Sequence, residues 1–282
     1  MEMRKMFDNL ADKAEKAVSM DDTYIDEEGF RCCKKCNTRR QLLFEVPNLG
    51  ISRKVSKNCD CQEEELKKQR AEEERQERLR RIELMRISGF PDAALMKCTF
   101  ENEEGGQKKV IDAAKRYVEK FDEFKKDGKG LLLYGSVGTG KTYVAAAIAN
   151  ALIDKGIRAM VTNFARITNK LQESFDGRQD FIDGFNNFDL LVIDDLAAER
   201  KTEYMQEIMF HIIDARYRSG KPMIITTNLS LEALKHPAQE SDARIFDRIM
   251  ERCFPIEVKG DSIRKKKVIA EYADMKEKLG LN

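Results

Sequence analysis

Eight consecutive residues carry the most specific chemistry in the chain. Gly135-Ser136-Val137-Gly138-Thr139-Gly140-Lys141-Thr142 satisfies G-x-x-x-x-G-K-[ST], with one additional internal glycine. Glycines let backbone N–H groups converge on phosphate oxygens where a Cβ would clash. A helix that starts at the lysine adds the partial positive charge of its N-terminus. Lys141 is then expected to reach the β- and γ-phosphates of a nucleotide, and the Thr142 hydroxyl to ligate Mg²⁺. The flanks agree: LLLY before the octapeptide predicts a strand, and YVAAAIANALI after it predicts a helix of strong helix formers.

Three further segments could complete a phosphate-transfer site. Asp189-Leu-Leu-Val-Ile-Asp194-Asp195 reads as a buried strand ending in two acids. The carboxyl end of a parallel strand faces the ligand crevice, so Asp194 is expected to hold the Mg²⁺ shell and Asp195 to polarise the attacking water. Met223-Ile-Ile-Thr-Thr-Asn228 ends in an amide. Asn228 would lie near the γ-phosphate, or cap the helix that begins near Ser230. In ARIFDRIMER, Arg244, Arg248 and Arg252 recur every four residues and share one helix face. An arginine there could stabilise transition-state charge on a neighbouring subunit's nucleotide, Arg248 being the first choice and Arg244 the second. Arg264, in Asp261-Ser-Ile-Arg264, could reach the nucleotide from the other side.

A separate constellation is built of sulfur. Cys33-x-x-Cys36, 22 residues, then Cys59-x-Cys61 supplies two pairs of soft ligands, as a tetrahedral structural Zn²⁺ requires. Cys32 could take the place of Cys33. Seven cysteines, an odd number with five between Cys32 and Cys61, argue for a reducing compartment and a metal rather than a disulfide framework. Cys98 and Cys253 lie apart and are expected in or near the core.

Placing these groups takes a chain of 282 residues, long enough for one α/β domain and a small accessory region. Net charge is +1, so affinity for a polyanion would need local patches. Charged residues make up 36%, against about a quarter ordinarily, so the surplus belongs on solvated faces. The N-terminus is charged throughout and no apolar run is long enough to span a membrane, which makes the expected location the cytoplasm. Residues 1–30 read as an acidic helix followed by a loop around Gly29. Residues 62–88 lack Gly and Pro and carry Glu→Lys/Arg pairs at i,i+4, the mark of a solvated helix that Gly89 and Pro91 punctuate. From Lys108 onward, strands are expected at Gly130–Tyr134, Arg158–Thr162, Leu190–Asp194, Met223–Thr227 and Phe254–Val258. Helices are expected between them, as at Lys141–Lys155 and Glu203–Ser219. This alternation implies a parallel sheet covered by helices on both faces. The expected organisation is therefore 1–61 as a zinc-binding α-helical and loop domain, 62–90 as a charged linker helix, and 91–282 as an α/β P-loop NTPase domain.

GSVGTGKT, LLVIDDL, IITTN, ARIFDRI and GDSIR, in that order and spacing, resemble the DnaC/IstB branch of AAA+ ATPases, above all the DnaC- and DnaI-type loaders of the replicative helicase. The resemblance covers roughly residues 86–270. It implies an AAA+ fold and ATP hydrolysis, with Arg248 as arginine finger and Arg264 as sensor-2 arginine. The same family tolerates Asp at Asp195, where many AAA+ ATPases carry Glu. It also implies self-association through the ATPase domain, single-stranded DNA as a partner, and an N-terminal region that grips the hexameric helicase; zinc-bearing N-terminal domains occur in DnaI-type loaders. Two other functions are compatible with the ATPase core: an IstB-like transposition helper, and a nucleotide-gated adaptor with little hydrolysis. The cysteine module argues against the former.

Overall fold

The computed structural model describes residues 22–47, 50–102, 107–173, 177–196 and 202–281. The helix expected within residues 1–30 falls mostly on 1–21, outside the described residues. The chain forms two compact units that divide between Leu79 and Arg80.

In the first unit, β1 (Thr23–Ile25) pairs antiparallel with β2 (Arg31–Cys33), and β3 (Gln41–Val46) pairs antiparallel with β4 (Ile51–Ser56). The expected helix-and-loop character of the cysteine region is thus corrected to two hairpins. Thr23-Tyr24-Ile25 is β-branched and aromatic, which suits a pleated strand. The Asp26 carboxylate turns the chain by accepting from the N–H groups of Glu28 (3.1 Å) and Phe30 (2.8 Å), and Gly29 supplies φ 74°. Helix α1 (Asp60–Gly89) begins in this unit and ends in the second. Its charged stretch is exposed, with Lys68 and Glu64 paired at 2.8 Å. At its far end Ile82 and Met85 pack on the core of the second unit, and Gly89 is buried where a Cβ would collide with the Ala159 carbonyl.

The second unit is a five-stranded parallel sheet in the order β6-β7-β8-β5-β9. Its strands are β5 (Gly130–Tyr134), β6 (Ala159–Asn163), β7 (Leu190–Leu196), β8 (Met223–Thr227) and β9 (Cys253–Glu257). Around it lie α2 (Ala93–Met96), α3 (Lys108–Glu119), α4 (Phe121–Lys126), α5 (Lys141–Asp154), α6 (Phe164–Glu173), α7 (Arg178–Gly184), α8 (Glu203–Arg218), α9 (Leu231–Lys235), α10 (Glu240–Arg252) and α11 (Ile263–Leu279).

Alternate residues of each central strand serve opposite faces. Leu131, Leu133, Leu190, Val192 and Ile224 join one apolar core with α3 and α5. Leu132, Leu191, Ile193, Met223 and Ile225 join the other with α6, α8 and α10. Burial on both faces explains why these strands read as unbroken apolar runs. Cys98 lies in the first core and Cys253 in the second. Among the described residues no helix is long and apolar enough to cross a membrane.

Candidate nucleotide site and cysteine cluster

The octapeptide forms the loop from β5 into α5, at the carboxyl end of the sheet. Two of its glycines are required by close approach. Gly135 takes φ 142°, and a Cβ there would strike the Val258 carbonyl; Gly138 takes φ 82°, and a Cβ would strike Ser262 Oγ. The loop is anchored by Val258 N donating to Tyr134 O at 2.8 Å and Ile263 N donating to Gly138 O at 2.9 Å. Ser136 and Val137 form its exposed tip, while Thr139 is buried and donates to Ser136 O at 3.0 Å. Gly140 caps α5 in a left-handed conformation.

Lys141 is buried, with its ammonium donating to the carbonyls of Gly135 (2.9 Å) and Ser136 (2.7 Å). Burial lowers its pKa, against the opposing pull of Asp195 and Asp194. Thr142 Oγ1 donates to Asp194 Oδ1 at 2.8 Å. A hydroxyl and a carboxylate brought together beside a phosphate-binding loop form the donor set a hard cation takes. Burial raises the Asp194 pKa, and hydrogen bonds from Thr226 and Thr142 oppose that rise. Bound Mg²⁺ would favour the charged carboxylate there. Asp195 follows on the same strand, exposed, with φ 53°.

The remaining site candidates are placed differently. Asn228 is exposed immediately after β8. It does not cap the next helix: Ser230 does, its side chain accepting from Ala233 N. Arg264 is exposed in the first turn of α11, one residue beyond the Ile263 N–H that bonds the phosphate loop. Arg248 lies on α10 with its Nε on Asp214 Oδ1 at 2.8 Å and its Nη1 on Arg244 O at 2.9 Å. Its guanidinium also sits 4.8 Å from the Phe210 ring centre. Arg244 pairs with Glu240 at 3.0 Å at the surface. The sequence reading missed two residues here. Asp214, the nearly buried acid that holds Arg248, also bonds Arg218. Thr226, fully buried, bonds Asp194. A polar pair, Thr226-Thr227, at the end of an otherwise apolar strand was the available signal for the second. A broad hollow of about 1030 Å³ lies elsewhere, lined by α3, β9 and the end of α10, and contains no octapeptide residue.

In the first unit the sulfur atoms of Cys33, Cys36, Cys59 and Cys61 all lie within 4.8 Å of one another. Cys33–Cys61 measures 3.6 Å and Cys59–Cys61 3.3 Å. Zn–S bonds of about 2.3 Å at tetrahedral angles put sulfurs ~3.8 Å apart, so the four fit a zinc ion. Cys33 to Cys36 form a turn closed by Asn37, which takes φ 57° and donates from its backbone N–H to Cys33 O at 2.9 Å. Cys59 and Cys61 sit at the start of α1. Cys32 points elsewhere, its sulfur 3.6 Å from Asp26 Oδ2, as the alternation of β2 demands. Hydrogen bonding to Thr38 and to the Cys61 backbone pulls the Cys36 thiol down to about 5, while its neighbours Cys59 and Cys33 push Cys61 up to about 12. Crowded thiols oppose each other's ionisation, and a cation removes that opposition.

The family model described as IstB-like ATP binding protein matches residues 51–270. A protein of Buchnera aphidicola subsp. Schizaphis graminum named replicative helicase loader DnaC is 32% identical over 162 residues. That match covers 55% of this chain and 63% of the relative, less than two thirds of its length. A solved structure titled DnaC helicase loader covers 60% of this chain and 100% of its own, at 27% identity and a TM-score of 0.51. One titled DnaI covers 61% and 96%, at 25% identity and 0.52.

Proposed function

The chain belongs to the IstB-like ATP binding protein family, and from that membership we propose that it is an ATP-hydrolysing loader of a hexameric replicative DNA helicase onto single-stranded DNA, acting in the cytoplasm. The observation that carries the reading is the likeness of the nucleotide-binding unit to a protein named replicative helicase loader. The phosphate loop, with Thr142 and Asp194 2.8 Å apart, supports ATP as the nucleotide and Mg²⁺ as its cation.

Gly135 to Thr142 bind the phosphates, Lys141 contributes its charge at the β- and γ-phosphates, and Thr142 and Asp194 hold the cation. Held by Thr142 and Asp194, Mg²⁺ would supply charge neutralisation at the phosphate oxygens. Asp195 and Asn228 orient the attacking water from the ends of neighbouring strands. Arg264, beside the phosphate loop, faces the nucleotide of its own chain. Arg248 serves the nucleotide of the next subunit, with Asp214 fixing its approach. Subunits that share a nucleotide this way associate head to tail, and such contacts make rings or open spirals. The cysteine-bearing unit grips the helicase, and Zn²⁺ on Cys33, Cys36, Cys59 and Cys61 holds that unit in shape.

Co-purification of the full chain with the replicative helicase of its own cell, with ATP and with a slowly hydrolysed analogue, tests the reading. A complex that changes with nucleotide is expected, together with turnover that falls at least about tenfold in Arg248→Ala while ATP binding persists. No complex under any nucleotide condition would remove the loader reading. A complex without turnover would leave a nucleotide-gated adaptor, and ATP-dependent duplex remodelling without helicase binding would point to a transposition helper.

A further inference from the structure

The pairing of β7 with β8 breaks at one place. Ile193 stands opposite Ile225 and Leu196 opposite Thr227, so Asp194 and Asp195 together face the single residue Thr226. Two residues against one is a β-bulge, which bends the strand and takes a backbone group out of the ladder. Asp195 adopts φ 53°, the left-handed region that aspartate enters more readily than most side chains. Thr226 closes the gap with one hydroxyl. Its Oγ1 accepts from the Asp195 N–H at 2.9 Å and donates to Asp194 Oδ1 at 2.6 Å. Its relative exposure is 0%.

In an unbroken strand two successive acids point to opposite faces. The bulge suspends that alternation, and Asp194 and Asp195 both act electrostatically on Lys141. The Asp194 oxygen that Thr226 holds is the one that accepts from Thr142. A single buried side chain therefore touches the carboxylate of one acid and the backbone of the next.

We propose that Thr226 is a positioning residue for phosphate transfer, fixing the Asp194 carboxylate toward Thr142 and holding the Asp195 backbone in the bulge so that the two acids keep separate tasks. The inference rests on the assignment of Asp194 to the Mg²⁺ shell and Asp195 to the attacking water. It makes a demand opposite to that of strand packing. Valine matches threonine in shape and has high β-propensity, whereas serine loses a methyl group and favours strands less. If Thr226 only packs, Thr226→Val is the mild change and Thr226→Ser the harmful one. If its hydroxyl positions the acids, the order reverses.

The experiment compares the full chain with Thr226→Val, Thr226→Ser and Lys141→Ala. It reads thermal unfolding, ATP turnover, the Mg²⁺ dependence of binding to a fluorescent ATP analogue, and hydrogen exchange at the amides of residues 190–196. Thr226→Val is expected to lower turnover and Mg²⁺ affinity by about 10–100-fold, the usual loss when a partner behind a metal ligand is removed. Nucleotide binding without Mg²⁺ stays at the parent level, and the Asp195 amide exchanges faster. Thr226→Ser keeps each property within about threefold of the parent, since it retains the hydroxyl that supplies the positioning. A Thr226→Val protein that matches the parent, or a Thr226→Ser protein impaired as much as Thr226→Val, overturns the proposal. Turnover in the parent no greater than in Lys141→Ala would fail the hydrolysis reading instead. Mg²⁺ dependence and amide exchange would still decide Thr226 on their own.

Discussion

The two units of this chain are held together by different means. In the second, aliphatic side chains from both faces of the sheet fill two cores, and Leu132, Leu133, Ile148, Leu190, Leu191 and Ile193 are fully buried. In the described part of the first, the buried residues are Cys32, Cys33, Arg40, Gln41 and Cys59. Not one is aliphatic or aromatic. Leu42, Leu43 and Phe44 are exposed, and Phe30 lies between the cations of Arg39 (4.6 Å) and Lys54 (4.3 Å). A small unit with no buried aliphatic or aromatic side chain among its described residues calls for a staple. With zinc bound, four sulfurs would do for the first unit what some forty buried side chains do for the second.

The strongest way to break that comparison is to remove the staple. Metal analysis of the full chain is expected to find about one zinc per chain, and Cys33→Ser with Cys36→Ser to release it. The hairpins β1–β4 should then lose amide protection completely, while the thermal transition of residues 80–282 stays where it was. Protected hairpins in a zinc-free protein would show that the sulfurs are not the staple.

A second test asks whether polar groups hold the larger unit too. Arg216 is 1% exposed and spends its donors on carbonyls: Pro222 (2.7 Å), Phe188 (2.8 Å), Asp189 (2.8 Å) and Phe185 (3.3 Å). Burial brings its pKa down to about 10, though Asp189 opposes the fall. The guanidinium joins the entry of β7 to the entry of β8, at the end of the sheet away from the phosphate loop. Arg216→Met removes the guanidinium donors from all four carbonyls, of which Pro222 O keeps the Leu191 N–H (3.4 Å) and Phe185 O the Phe188 N–H (3.3 Å), at a cost of about 3 kcal/mol. For a unit of this size that lowers the midpoint by roughly 6–12 °C. A drop of that size in residues 80–282, with the zinc unit unaffected, sharpens the contrast; no drop would mean that the apolar cores alone suffice.

What could be read from the sequence follows the same division. Apolar runs located β5 and β8 to the residue, because strands buried on both faces need no partner to declare themselves. The phosphate loop was legible because its glycines answer to local backbone geometry. The hairpins of the first unit were not: strands of three residues, as in β1 and β2, owe their form to pairing and to the sulfur cluster, not to local pattern. Thr226 was hidden for another reason. Threonine in a strand is the ordinary choice for β-propensity, and its hydroxyl acquires a task only once the bulge at Asp194–Asp195 forms, which depends on two strands in register. Arg216 was hidden among the charges of DARYR, where spacing cannot tell a buried guanidinium from a solvated one.

The smallest expected effect concerns how each unit meets acid. Asp214 joins α8 to α10 through Arg248 and pairs with Arg218 on its own helix. Burial alone would raise its pKa, but hydrogen bonds from Arg218 and Arg248 outweigh burial and hold the carboxyl below its ordinary value. With the folded pKa depressed, the unfolded chain binds more protons. The stabilisation is therefore complete above the unfolded value of about 3.9 and is lost as pH falls through the folded value beneath it. Asp214→Asn should melt a few degrees below the parent at neutral pH, a gap on the order of 1 kcal/mol of helix pairing. That gap should shrink below about pH 4 and close only as pH falls through the lower folded value, where the parent carboxylate is itself protonated. A zinc-thiolate unit answers acid differently, because protons compete directly with the metal for sulfur. Hairpin protection should accordingly disappear at a higher pH than the Asp214 gap closes. Were the two losses to coincide, both units would be failing by one cooperative transition, and the division between stapled and packed would not hold.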